Sequence, residues 1–294
     1  MSPPRTRGLR EALRKGPLIV APGAYDALSA RLIERAGFPA VYVSGAGASY
    51  SLLGAPDLGL LSFEELVGQV RRIAQAVRIP LVADADTGFG NALNVLRTVR
   101  EYESAGADAI QLEDQSFPKR CGHLQEKRLI PAEEMAGKIR AACDARSSPD
   151  FLIIARTDAV GPEGLERALH RLELYEEAGA DLLFLEAPPD AEAYRKARER
   201  LKAPLMANMV EGGRTPLLSR KELETLGVRL VIFPGAAARA AAFAVQEMLR
   251  TLRQEGTTQS HLGRMLLFDQ LNEVVGLPEA LEQGRKYSPD GPSP

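Results

Sequence analysis

The chain has 294 residues, 45% of them hydrophobic, and a formal net charge of −2. Nothing in that balance points to a nucleic-acid binder or to a protein held on an acidic membrane, and no run approaches the roughly 20 apolar residues of a membrane helix. Two cysteines, Cys121 and Cys143, make no disulfide framework, so a cytoplasmic protein in a reducing compartment is expected.

Residues 5–15 have the pattern of a short amphipathic helix; the start of the chain is basic but lacks the apolar core of a signal peptide. One theme then recurs: a short apolar run, a polar or glycine-bearing end, and a longer segment of helical period. The apolar runs are 18–21, 40–44, 81–85, 109–113, 151–157, 182–186, 205–209 and 230–234. Helical segments fall at 27–36, 63–77, 94–105, 132–145, 164–178, 191–201 and 220–226. Strands alternating with helices, eight times over, predict a parallel sheet closed into a (β/α)8 TIM-like barrel. Gly37, Gly106 and Gly179 each stand just past a helix, where glycine accepts the left-handed turn. Beyond the eighth strand come an alanine-rich helix over 236–254 and further helices over 261–273 and 277–285. The expected organisation is an N-terminal extension (1–16), a catalytic barrel (17–255) and a C-terminal helical extension with its tail (256–294).

Six of the eight strands end in polar residues: Ser44-Gly45, Asp84 with Asp86, Glu113-Asp114, Arg156 with Asp158, Glu186, and Asn208 with Glu211. In a barrel these ends meet at one face. If the third strand runs on through Asp86, Asp84 and Asp86 point to the same side, an arrangement that asks for a cation. Carboxylates in number, one arginine and one amide suit a hard ion with oxygen ligands, Mg2+ or Mn2+. His123, His170 and His261 show no zinc spacing with the cysteines; His170 and His261 read as surface residues and Cys143 as packing.

After the fourth strand comes Lys119-Arg120-Cys121-Gly122-His123. A thiol among basic groups is expected to have a lowered pKa and to act as a nucleophile or proton donor. Residues 118–130, poor in apolar side chains, read as a lid. Ser44-Gly45-Ala46-Gly47-Ala48-Ser49-Tyr50 lacks the third glycine of a dinucleotide fingerprint; its glycines instead let backbone N–H groups approach a carboxylate.

Four segments, 84–90, 111–115, 119–123 and 155–158, read Asp-Ala-Asp-Thr-Gly-Phe-Gly, Gln-Leu-Glu-Asp-Gln, Lys-Arg-Cys-Gly-His and Ala-Arg-Thr-Asp. Together they resemble the isocitrate lyase/phosphoenolpyruvate mutase superfamily, over about residues 17–270. The cysteine loop resembles its lyase branch, of the methylisocitrate lyase and 2,3-dimethylmalate lyase type, whose relatives often carry the name carboxyphosphonoenolpyruvate phosphonomutase.

The resemblance implies Mg2+ on Asp84, Asp86 and Glu113, some of them through water. It implies that Ser44, Gly45 and Ala46 cradle a substrate carboxylate, with Gly122 and His123 also at the substrate. Arg156 and Glu186 would bind the 2-hydroxy acid end, and Asn208, Arg239 and Arg264 the distal part. Cys121 becomes the general acid; Tyr42, or a metal-bound water supported by Asp57, is the base. The implied reaction is metal-dependent cleavage of a 2-hydroxy dicarboxylate or tricarboxylate to a 2-oxo acid. The implied assembly is a homotetramer whose last helix swaps between subunits. The alternative is carboxyphosphonoenolpyruvate or phosphonopyruvate mutase chemistry, or action on oxaloacetate, at the same metal site. Gly212-Gly213-Arg214-Thr215-Pro216 resembles the dimethylmalate lyase form, and Leu124 stands where methylisocitrate lyases carry arginine. Both departures favour a smaller dicarboxylate such as a substituted malate.

Overall fold

The computed structural model describes residues 8–122 and 126–287. Its strands are β1 (Ile19–Ala24), β2 (Val41–Val43), β3 (Leu81–Asp84), β4 (Ala109–Glu113), β5 (Leu152–Thr157), β6 (Leu182–Leu185), β7 (Leu205–Asn208) and β8 (Val228–Phe233). Each pairs in parallel with its neighbours in the chain, and β8 closes on β1 from Ile19↔Leu230 to Pro22↔Phe233. The expected (β/α)8 barrel is the one observed.

Helix α1 (Leu9–Lys15) precedes the barrel. Between the strands run α2 (Ala27–Arg35), α3 (Gly45–Ala48), α4 (Phe63–Ala76), α5 (Ala92–Ala105), α6 (Ala132–Ala145), α7 (Val160–Glu163), α8 (Leu165–Glu177), α9 (Ala191–Arg200) and α10 (Arg220–Thr225). After β8 come α11 (Ala236–Glu255), α12 (Phe268–Val274) and α13 (Leu277–Lys286). Local chemistry sets the ends. Ser62 with Glu65, Asn91 with Asn94 and Ser219 with Glu222 form capping boxes that satisfy the first N–H groups of α4, α5 and α10. Gly37, Gly106 and Gly179 take φ of 81°, 100° and 102° at the helix ends, as the sequence predicts.

The helix predicted over 261–273 is broken in two. Gln259–Arg264 is a 3-10 turn, and the chain is extended at Met265 and Leu267 before α12 begins. Gly263 inside that run weakens helical continuation. His261, expected at the surface, is buried. The chain divides into two compact units, Met1–Ala238 and Arg239–Pro294. Among the described residues, no helix is long and apolar enough to cross a membrane.

Alternation along the strands sorts the barrel into two layers. Ile19, Ala21, Tyr42, Val82, Ala109, Leu152, Ile154, Leu182, Phe184, Met206, Leu230 and Ile232 form one cluster, which is the barrel interior. Their neighbours, such as Val41, Ile110, Ile153 and Leu183, pack with the helices in a second cluster. Leu9 and Leu13 of α1 belong to the interior cluster. Arg10 pairs with Asp181, just before β6, at 2.8 Å, and Arg229 at the start of β8 donates to the Leu13 carbonyl at 2.9 Å. Helix α1 therefore plugs the mouth at the N-terminal ends of the strands, opposite the polar strand ends.

Leu13 is 4% exposed. Leu13→Ala is expected to lower the unfolding free energy by about 2–5 kcal/mol, read as a lower urea midpoint. A shift inside about 0.5 kcal/mol, the range of surface substitutions, would show that α1 does not plug the barrel.

Candidate active site

Carried to the C-terminal ends of the strands, the inward set becomes Tyr42 and Ser44, Asp84, Gln111 and Glu113, Arg156, Glu186 and Asn208. All are buried. Period two alone brings them to one mouth, because each lies two or four residues beyond an apolar interior residue of its own strand.

Asp86 reaches the mouth differently from the expectation. Strand β3 ends at Asp84, and Asp86 has a left-handed backbone, φ 46°, a conformation that aspartate tolerates better than most residues. The turn is fixed from outside. Lys138 of α6 donates to the Thr87 carbonyl at 2.7 Å, Thr98 of α5 to that of Gly88 at 3.2 Å, and the Glu113 N–H to that of Asp86 at 2.9 Å. The two aspartates still converge: a Cβ on Gly45 would lie 2.9 Å from Asp84 Oδ2 and 3.4 Å from Asp86 Oδ1. Gly45 is therefore glycine because carboxylates stand where a side chain would go.

Asp84 accepts from the Gly45 N–H at 3.3 Å, the Asp86 N–H at 3.1 Å and Gln111 Nε2 at 3.3 Å. Burial, then the Asp86 charge, pushes its carboxyl up to about 6. Burial drives Glu113 well above the usual carboxylate range against the pull of Arg156. Asp86 Oδ1 lies 2.8 Å from Lys119 Nζ, an ion pair without hydrogen-bond geometry, and the same ammonium donates to Asp57 at 2.5 Å. Burial alone would lower the Lys119 pKa, but Asp86 and Asp57 outweigh it and raise it. Tyr42 donates to Gln111 Oε1 at 3.0 Å; burial, then Asp84, lifts its phenol well above its ordinary value.

Opposite these acids lies one guanidinium. Arg156 forks Asp158 through Nε at 2.8 Å and Nη2 at 3.0 Å, approaches Glu113 at 3.5 Å and Glu186 at 3.8 Å, and stands 5.2 Å over the Phe184 ring. Asn208 Nδ2 donates to both Glu186 oxygens at 3.3 and 3.2 Å. Ser44 Oγ caps α3 by accepting from the Gly47 N–H at 3.1 Å, which leaves its own proton to donate elsewhere.

Cys121 is half-buried. Gly122, next to it, lies so close to Arg156 and Glu186 that a Cβ would collide with Arg156 Nη2 and Glu186 Oε1. The cysteine peptide thus borders the arginine side of the mouth. His123 and Leu124 lie outside the described residues. Ala46 sits half-buried in α3. Arg239 and Arg264 belong to the second unit, in α11 and the 3-10 turn, and both are exposed. Asp114, grouped with the strand-end acids by sequence, has the outward parity. It accepts from Thr157 at 2.7 Å and Tyr175 at 2.8 Å, and pairs with Arg171 at 3.3 Å, behind the mouth. The sequence reading gives Gln111 and Lys127 no role, counts Asp158 only among the polar strand ends and Lys119 only as a basic neighbour of Cys121; the parity of Gln111 with Glu113 was a signal available for Gln111.

Among the described residues, Glu113 Oε1 and Asn208 Oδ1 are buried with no hydrogen-bond partner. An all-oxygen set, two acids raised chiefly by burial and an orphaned carboxylate oxygen fit a hard divalent cation. Among the described residues, no three His, Cys, Asp or Glu side chains stand close enough to hold an ion unaided.

The sequence profile of the phosphoenolpyruvate phosphomutase family matches residues 9–253. The chain is 47% identical over 280 residues to 2,3-dimethylmalate lyase of Eubacterium barkeri, covering 95% of this chain and 97% of that one. It is 48% identical over 268 residues to 2-methylisocitrate lyase of Aeropyrum pernix, covering 91% and 86%. A crystal structure of 2,3-dimethylmalate lyase superposes with a TM-score of 0.90 at 37% identity, over 97% of each chain. Phosphonopyruvate hydrolase in complex with oxalate and Mg2+ superposes at 0.87 and 35%, over 97% of this chain and 99% of that one. The chain belongs to the phosphoenolpyruvate mutase/isocitrate lyase family. Within it the chain is an enzyme, a carbon–carbon lyase.

Asp158 yields a test of the site's electrostatics. Burial pushes its carboxyl up, but Arg156 and Lys127 together hold it at about 2. A folded pKa below the unfolded one means stability that is present above the unfolded pKa, about 4, and lost as pH falls towards 2. Asp158→Asn removes the carboxylate shared by two buried cations, Arg156 and Lys127, and is expected to cost about 3–5 kcal/mol at pH 7. The difference from the parent should shrink in urea melts between about pH 4 and pH 2; a penalty independent of pH would refute the ionic role.

Proposed function

We propose that the chain cleaves the C2–C3 bond of a small 2-hydroxy dicarboxylate, a substituted malate such as 2,3-dimethylmalate, and releases a 2-oxo acid such as pyruvate. One observation carries this reading: a single inward ring divides into an acidic half, Asp84, Asp86 and Glu113, and a cationic half centred on Arg156, with the Cys121–Gly122 peptide against the latter. The acidic half suits a divalent cation and the cationic half a carboxylate. The match over nearly the whole chain to dimethylmalate lyase supports the substrate class.

Mg2+ or Mn2+ bound by Asp84, Asp86 and Glu113 would lower the pKa of the substrate hydroxyl and offset charge on its carboxylate. The remaining work falls to the chain's own groups. The Ser44 hydroxyl and the backbone of Gly45 and Ala46 orient that carboxylate; Arg156, with Glu186 and Asn208, holds the 2-hydroxy acid end, and Gly122 lines it, with His123 assigned to the substrate by resemblance alone. Arg239 and Arg264 are assigned to the distal end by resemblance. The base is Tyr42, which would first release its bond to Gln111, or a metal-bound water supported by Asp57, which Lys119 holds in place. The hydroxyl proton leaves and C2 becomes a carbonyl as the C2–C3 bond breaks. Its electron pair passes into the departing fragment as an enediolate, which positive groups stabilise. Cys121 then delivers its proton to C3 as general acid, and the proton taken from the hydroxyl restores the thiol by way of solvent.

We further infer a homotetramer in which the C-terminal helix is exchanged between subunits. Helix α11 has no buried residue, and Phe243, Leu249, Leu266, Leu267, Phe268 and Leu281 are exposed in the single chain. Apolar exposure on this scale asks for a second copy.

With Mg2+, 2,3-dimethylmalate is expected to release pyruvate, and Cys121→Ser to lower kcat by about 10²–10⁴. Oxalate with Mg2+ should raise Tm in parent and variant alike. Full activity in the variant, or turnover of phosphonopyruvate in place of dimethylmalate, would overturn this reading. Light scattering should give four chain masses. Phe268→Asp, at a residue 81% exposed, should reduce that number; a monomer in the parent would end the tetramer proposal.

A further inference from the structure

The barrel is parallel throughout, but the excursion that carries Cys121 has an antiparallel base. Ser116 N–H donates to the Arg128 carbonyl at 2.8 Å and Ile130 N–H to that of Asp114 at 2.9 Å, with Gln115 bridged to Leu129 between them. Inside this base two buried side chains reach the cysteine segment. Gln115 Nε2 donates to the Arg120 carbonyl at 2.8 Å, and Gln115 Oε1 accepts from the Arg120 N–H at 2.9 Å. One side-chain amide thus imitates the paired donor and acceptor of a neighbouring strand. Lys127 Nζ donates to the Gly122 carbonyl at 2.7 Å and to Asp158 Oδ1 at 2.9 Å.

We propose that Gln115 and Lys127 are positioning residues, which clamp the backbone on either side of Cys121 and tie it, through Asp158, to Arg156. The Lys127 side chain is 3% exposed. A lysine buried so far is costly unless its donors are used, and packing alone is served as well by an apolar chain. Its two acceptors have a common consequence. Asp158 is the carboxylate that forks Arg156, and Gly122 is the residue pressed against Arg156 and Glu186. The ammonium therefore fixes the distance between the thiol-bearing peptide and the guanidinium that faces the substrate. Gln115 fixes the same peptide from its other end, before Cys121. A proton donor displaced by about 1 Å loses on the order of 10² in rate, so two clamps on one short segment have a catalytic purpose.

The inference rests on Cys121 as the proton donor, and its test separates the two claims. In the full chain, Lys127→Met and Gln115→Leu are compared with the parent and with Lys127→Arg, which keeps charge and donors. Two quantities are read: the rate of Cys121 alkylation by iodoacetamide, followed by mass spectrometry of its peptide to separate it from Cys143, and kcat and KM for 2,3-dimethylmalate. Both disrupting variants should alkylate Cys121 several-fold faster and lose about 10² in kcat with little change in KM, and Lys127→Arg should recover part of both. An altered alkylation rate with kcat intact would uphold the clamps and overturn Cys121 as the donor. Alkylation and kcat within about twofold of the parent, with only Tm lowered, would reduce both residues to structural roles and overturn the proposal. If Lys127→Met does not fold, Gln115→Leu decides alone, since the amide carries no charge to leave unpaired.

Discussion

The rest of the site depends on one buried guanidinium. Arg156 has been taken almost wholly out of water, a penalty that the apolar barrel interior beneath it offsets only through the Phe184 ring. Its compensation is the fork on Asp158, and everything around that carboxylate serves the fork. The Asp158 N–H is held by Asp114 Oδ1 at 2.9 Å, and its other charge partner is Lys127. With the fork set, Arg156 has edges left for Glu113 and Glu186, and a face on Phe184. It enters the mouth already oriented, which is what recognition of a carboxylate requires.

Two aspartates at this mouth show how environment divides one side chain into two chemistries. Asp84 and Asp158 are both buried, and burial pushes both carboxyls up. Asp158 faces two cations and ends at about 2; Asp84 faces Asp86 first and ends at about 6. One is a permanent anion that holds the scaffold, and the other is a crowded oxygen donor that gains from a cation. The same division runs through adjacent residues: Glu113 turns inward and keeps an orphaned oxygen, while Asp114, one residue on, turns outward into the hydroxyls of Thr157 and Tyr175.

The architecture was legible because its signals are local. Eight apolar runs and glycines at 37, 106 and 179 each act within a few residues, and the eight strands formed at those runs, whereas the single helix expected over 261–273 did not form. The inward acids were legible for a related reason, since strand parity carries them to one face. Asp86 lost that logic once the strand stopped at Asp84: its approach depends on a turn held by Thr98 of the following helix and by Lys138, 51 residues along the chain from Thr87. His261 was misjudged because burial of a polar ring depends on neighbours that its own segment does not reveal. Lys127 left no trace for the same reason, because a lysine in a polar loop reads as solvated.

Parity also explains why the cysteine needs a support of its own. Asp84, Glu113 and Arg156 stand on strands whose backbones are fixed on both sides by parallel neighbours, so their positions follow from the barrel. Cys121 lies eight residues past the end of β4, with no strand beneath it. The antiparallel base at residues 114–116 and 128–130 extends sheet-like order beyond the barrel rim, and Arg171 adds a bond to the Ile130 carbonyl at 3.0 Å from α8. Arg171 also meets Asp114, which holds the Asp158 backbone and so the fork on Arg156. The base of the cysteine segment and the arginine at the mouth are thereby braced by one side chain on one helix. A loop residue is given a strand residue's precision because its support and its target share a foundation.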